Sequence, residues 1–177
     1  MKKIMGILMA TVMVVTLAGC SSNEHDYLKE AEATRSRANN VVDQSFYTND
    51  VRSAAQGYLA VLMEWSNAAE SVDNPDEIIR ITRQTIEKGN EYLAKIERLN
   101  PPDDEKLFHR ELLEWVDIGR ELQNDLSDFC ESISDEDEKK LNAVSSKFDS
   151  HVDKFDSKLQ ELANSKDWFK RAVEDYL

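Results

Sequence analysis

Glycine and proline are scarce, five and three residues in a chain of 177. The prolines, Pro75, Pro101 and Pro102, all fall between runs of regularly spaced apolar residues, so they punctuate helices rather than interrupt them. No stretch alternates apolar and polar residues in the manner of a half-buried strand, which excludes a sheet-based fold. Cysteine is limited to Cys20 and Cys130, too few for a disulfide framework. Recognisable chemistry is missing as well. There is no glycine-rich phosphate loop, no His-Glu-x-x-His, no serine in a nucleophile elbow and no Cys-His-Asp cluster. A four-helix bundle holding a di-iron centre needs Glu-x-x-His motifs, and none occurs. Beyond the first 20 residues the only methionine is Met63, and no histidine lies on an apolar seam to hold a haem. These absences set the expectation of a non-catalytic protein without cofactor or metal.

What is present begins with Met1 to Ser22, MKKIMGILMATVMVVTLAGCSS. Two lysines, an apolar run and small residues ahead of a cleavage point have the order of a secretory signal. The run Ile4 to Gly19 is 16 residues, short of the roughly 20 that a membrane-spanning helix requires. Leu17-Ala18-Gly19-Cys20 resembles the lipobox of bacterial lipoproteins. The resemblance implies cleavage before Cys20 and a lipid, palmitate among its chains, on that cysteine as the first residue of the mature protein. Each buried methylene contributes about 0.8 kcal/mol, so two or more chains hold a protein on a bilayer. The turn Leu99-Asn100-Pro101-Pro102-Asp103-Asp104-Glu105 with His109-Arg110-Glu111-Leu112-Leu113 resembles the middle turn of small helical lipoproteins, a likeness that imports no activity. The expected organisation is a signal peptide over 1–20, a tether over 21–24 and one domain over 25–177.

The charge is lopsided, with 35 acidic against 22 basic residues. Removing Lys2 and Lys3 with the signal leaves 20 basic residues and a net charge of −15. Such a surface repels nucleic acid and anionic headgroups and attracts cations or basic proteins. Acidity also serves solubility outside a cell.

Apolar steps of three and four run through most of the remaining chain. The first helical run covers about His25 to Val72, with Val51, Ala55, Tyr58, Leu62, Trp65, Ala69 and Val72 as a clear heptad. Its earlier half is more polar, with Tyr27, Leu28, Ala31, Ala38, Val42 and Phe46 as the expected inner face. Tyr47-Thr48-Asn49-Asp50 leaves a break or kink open, since three of these residues favour caps over helix interiors. Asn74-Pro75-Asp76-Glu77 starts a second helix, with a capping asparagine and proline at the first position; its seam is Ile79, Thr82, Ile86, Gly89, Leu93 and Ile96. A third, about Asp103 to Ile133, carries Phe108, Leu112, Trp115, Gly119, Leu122, Leu126, Phe129 and Ile133. Ser134 is the expected cap of a fourth, with Asp135 to Glu138 in its first turn. That helix uses Leu141, Val144, Phe148, Val152, Phe155, Leu159 and Leu162, with a stutter around His151. A last segment carries Trp168, Phe169, Ala172, Val173 and Tyr176.

Short connections make consecutive helices antiparallel. The expected fold is therefore all-α, an up-down four-helix bundle with coiled-coil-like seams, three-helix-like packing left open, and long first and last helices. Those long helices are expected to overhang together, setting Trp168, Phe169 and Tyr176 against Tyr27, Ala31 and Ala38 near the membrane. Asp149, Asp153 and Asp156 share one helix face while His151 points away from it, so the group reads as a solvated acidic face rather than a ligand set. Cys130, beside Phe129, reads as a packed side chain. The expected site residues are Cys20 for the lipid and Trp65, Gly89, Trp115 and Gly119 for a partner or ligand groove. Together these imply a lipid-anchored protein on the extracytoplasmic face of a cell membrane, the outer membrane where there are two. It binds a protein partner, or else a small ligand or cation between its helices, and no nucleic acid.

Overall fold

The computed structural model describes residues 24–135 and 137–177, with side chains described from residue 32 onward except at 39 and 40. The lipobox and Cys20 lie outside the described residues. The architecture is all-α, with no strand among the described residues. Helix α1 covers Glu24–Ser71, α2 Pro75–Glu97, α3 Lys106–Ser134, α4 Glu138–Ser165 and α5 Asp167–Val173; short 3-10 turns cover Asp103–Glu105 and Glu174–Tyr176. The chain divides into two units at Asn39 and Asn40. In the first unit residues 32–38 are exposed. The second holds the bundle.

Local chemistry accounts for the helix ends. The Asn74 side chain accepts hydrogen bonds from the backbone amides of Asp76 and Glu77, and Pro75 opens α2 as expected. Glu77 does not reach back to the cap but pairs with Arg80 one turn on. At α4 the cap is Asp137, accepting from the Lys139 and Lys140 amides, and not Ser134. Ser134 is the last residue of α3, its hydroxyl donating back to the Cys130 carbonyl. An aspartate three residues nearer the helix displaces serine as cap because it brings both an acceptor and a charge complementary to the helix dipole.

The heptads meet in one core. Val51, Ala55, Tyr58, Leu93, Ile96, Leu112, Trp115, Leu122, Leu159 and Leu162 are all buried in it. Between α1, α3 and α4, Tyr58, Trp115 and Phe155 pack with ring centroids 4.8 to 5.8 Å apart, a geometry that adds about 0.5–1.5 kcal/mol per pair to the area buried. On α2 the buried row is Ile78, Thr82, Thr85, Gly89, Leu93 and Ile96. Ile79 and Ile86 are only half-buried, so the seam sits one residue earlier at its start than the apolar spacing suggests. Arg120 grips Glu97 through both carboxylate oxygens, at 3.0 and 3.1 Å, tying α3 to the end of α2.

One alternative left open is decided, and two expectations are corrected. The first helix runs unbroken through Tyr47–Asp50; Tyr47 is buried, and its packing outweighs the weak helix preference of its neighbours. The expected inner face ahead of it is not inner, because Val42 and Phe46 are 50% and 67% exposed and Ala38 is exposed too. Gln44 and Tyr47 already reach Glu105 and His109 at the start of α3, so Val41 and Val42 face no helix among the described residues. The last helix does not extend as an overhang. Lys166 takes an extended conformation, φ −141° and ψ 114°, and the chain reverses. Helix α5 then folds back with Phe169, Ala172 and Val173 in the core. Trp168 and Phe169 pack on Phe108, at 5.1 and 5.4 Å; the side chains of Tyr27 and Ala31 lie outside the described residues.

Candidate functional site

The middle of the bundle is filled. Trp115 is fully buried. A Cβ built on Gly119 would stand 3.1 Å from Leu93 and 3.2 Å from Tyr58, and one on Gly89 would stand 2.7 Å from the Gln123 amide nitrogen. The two glycines thus make room for side chains already in place. Tyr58 donates to the Gly119 carbonyl at 3.0 Å, and Gln123 donates to the Tyr58 hydroxyl at 3.0 Å. Burial pushes the Tyr58 phenol well above its ordinary range, so it remains a neutral donor. Trp65 lies farther along α1, its indole donating to the Thr82 hydroxyl at 2.9 Å and its ring against Phe129 and Phe148. Trp65, Gly89, Trp115 and Gly119 therefore line no common groove, since three of them are sealed under neighbouring side chains.

Two polar clusters sit under the surface. The first joins α3 to α4: Asp125, fully buried, lies 2.6 Å from the Lys147 ammonium and accepts from His151 Nδ1 at 2.5 Å. His151 Nε2 is 3.3 Å from Glu121. The carboxylate holds the Lys147 amine above its ordinary range. His151 thus turns away from Asp149 and Asp153, as helical geometry requires, and the stutter aims it at α3.

The second lies at the opposite end. Glu105 is 1% exposed, yet Lys166 reaches it at 3.0 Å and Gln44 at 3.2 Å. Beside it the Tyr47 hydroxyl donates to His109 Nδ1 at 3.0 Å. Burial lowers the His109 pKa, which keeps the ring neutral and its Nδ1 free to accept. Tyr47 is pushed up by burial and then by the Glu105 charge. The first cluster pins α4 to α3, and the second pins the start of α1's buried part and the residue after α4 to the start of α3.

Cys130 is buried, its thiol 3.9 Å from the Ile79 carbonyl and its pKa raised by burial, which suits packing and not nucleophilic attack. Among the described residues no group of three or more His, Cys, Asp or Glu side chains is arranged to hold a metal ion, and no helix is long and apolar enough to cross a membrane.

Depressions remain at the turns, where Val72, Pro75, Ile78, Phe129, Ile133 and Leu141 line one of about 540 Å³, and along the seam between α1 and α4. Helix α5 fills its lower part, fastened by Gln56, which donates to the Ala172 carbonyl at 2.8 Å. Above Tyr176 the seam is empty. A depression of about 420 Å³ is floored by Leu59, Leu62, Met63, Trp65, Phe148 and Val152. A smaller one of about 120 Å³ continues from it past Trp65 and Phe148 to Val144. The charged residues on the two are Asp125, Asp149 and Asp156, with no lysine or arginine. Asp125 is already paired. Burial and the neighbouring Asp153 raise the Asp156 pKa, as expected of a carboxylate without a cation beside it.

Of the residues on this seam, heptad spacing points to Leu62, Trp65, Phe148 and Val152 but not to their exposure. Met63, 51% exposed beside a packed leucine, is the one signal in the sequence that an apolar surface continues outward. No family model, curated protein or solved structure matches this chain.

Proposed function

We propose that this protein is a lipid-anchored lipoprotein on the extracytoplasmic face of a cell membrane, serving as a non-catalytic helical module that binds a protein partner. The anchor follows from the likeness of Leu17 to Cys20 to a lipobox and from the polar tether behind it. Binding rather than catalysis is the reading supported by what is buried and what is not. Every histidine in the bundle and the one cysteine there are engaged inside or at helix junctions, out of reach of a substrate.

The observation that carries the reading is the open α1–α4 seam, an apolar surface bordered by carboxylates in a bundle whose centre is otherwise filled. Contiguous exposed apolar surface rimmed by polar groups marks an interaction site. A net charge of −13 argues against nucleic acid as the partner.

Crosslinking in intact envelopes, followed by capture of the full-length chain, tests this. A protein enriched over a Cys20→Ala control is the expected result. Capture that returns nothing above that control rules the reading out.

A further inference from the structure

We infer that the upper α1–α4 seam receives a basic amphipathic helix of the partner protein, its apolar face on Leu62, Met63, Trp65, Phe148 and Val152 and its cations against Asp149 and Asp156. This rests on the protein-partner reading above and adds the chemistry of what binds.

The shape of the occupant comes from the chain itself. The lower part of the same seam is already filled by a helix, α5, which buries Phe169, Ala172 and Val173 and turns Lys170 and Arg171 outward. It is a short amphipathic helix with a basic last turn. Its 3-10 extension ends at Tyr176, whose side chain forms the lower wall of the open part. The channel therefore takes a helix by construction, and the upper part is its continuation. Along α4 it runs from Val144 to Asp156, roughly 18 Å at about 1.5 Å per residue. That is the length of three helical turns and too long for one small ligand to cover. An apolar groove read by residues spaced i, i+3, i+4 and i+7 is a common way for a helix to dock.

The sign of the occupant comes from the rim. Asp149 and Asp156 stand on the same face of α4, seven residues apart, and neither has an ion-pair partner among the described residues. Asp153 raises the Asp156 pKa but itself borders the neighbouring depression that Lys154 and Lys158 line, so the rim charge of the seam rests on Asp149 and Asp156. Lys147, the nearest cation on α4, is held by Asp125 and Asp128. Lys154 and Lys158 lie around another depression with Ile118 and Glu161, on a different side of the helix. A helix with lysine or arginine flanking its apolar stripe would supply the missing charge, whereas an acidic one would meet repulsion.

The test uses the full-length chain in nanodiscs of zwitterionic lipid and three labelled helical peptides of about 14 residues, roughly the span of the seam. The peptides share one leucine and alanine face and carry lysine and arginine, glutamate, or glutamine on the flanks. Anisotropy should show the basic peptide binding at least about tenfold tighter than the acidic one, and more weakly as salt rises. The double variant Asp149→Lys, Asp156→Lys alters exposed positions only, and should reverse that preference at an unchanged melting temperature. Met63→Gln, which removes apolar surface without adding charge, should weaken all three peptides. Equal binding of basic and acidic peptides, a preference that survives charge reversal, binding equal to that on empty discs, or no binding by any peptide would each overturn the inference. So would hexylammonium occupying the seam as tightly as the basic peptide, which would assign a small organic cation instead. If the peptides fail while envelope capture still returns a partner, only the chemistry of the occupant falls; if capture fails too, the protein-partner reading falls with it.

Discussion

His109 shows how a single side chain can be committed to structure while looking chemically available. Its ring accepts from the Tyr47 hydroxyl and is nearly closed off from water. In the unfolded chain it takes up its proton near the ordinary value of 6.5, and in the folded chain only at lower pH. The unfolded state therefore binds more protons below that value, so stability is fully present above about pH 6.5 and is lost as pH falls through it. The melting temperature should drop between about pH 7 and about pH 5, and less steeply in His109→Gln, which keeps an acceptor but has no proton to gain. Calorimetry across that range checks it, and parallel slopes would contradict it. Glu105 is a comparable case. Its sequence context, Asp103-Asp104-Glu105 ahead of a helix, suggests only a solvated first turn, yet it is buried and held by Lys166, a residue 61 positions away. No local pattern encodes such a pairing.

At the scale of elements, α5 has the largest effect for its length. It is seven residues long, too short to persist as a helix in isolation, and exists because Phe169 and Val173 are fully buried between the seam and Phe108. Phe169→Ala removes that anchor and leaves a cavity, a change expected to cost about 3–5 kcal/mol. A urea melt should show the midpoint falling accordingly, while the α5 face becomes reachable by protease near Lys166. The apolar content of the segment was plain in the sequence, but its direction was not. Helical periodicity continues almost without interruption from α4 into Trp168 and Phe169, and the reversal depends on Lys166 taking an extended backbone in order to meet Glu105. The third helix contrasts with this. Its seam from Phe108 to Leu126 was read correctly because each position is a large apolar residue facing a partner at the same level, and even its glycine is explained by the Tyr58 ring beside it.

For the whole molecule, the acidic composition and the proposed lipid anchor set how it meets a partner, and the proposal of an anchor has a direct check. Detergent phase partitioning should place the wild-type chain in the detergent phase and Cys20→Ala in the aqueous phase, with a mature mass showing acyl chains on Cys20. A native product with Met1 retained and Cys20 unmodified would remove the anchor. The all-α class and the turns at Asn74-Pro75 and Pro101-Pro102 were determined by the sequence alone, because proline, capping asparagine and three-four apolar spacing act over a few residues and need no distant partner. Which side of each helix closes onto a neighbour and which stays open was decided only by the tertiary structure. Burial depends on how far every other element extends: α3 begins at the level of Tyr47 and strands Val42 in solvent, and the 3-10 turn after α5 ends at Tyr176 and leaves the seam above it open.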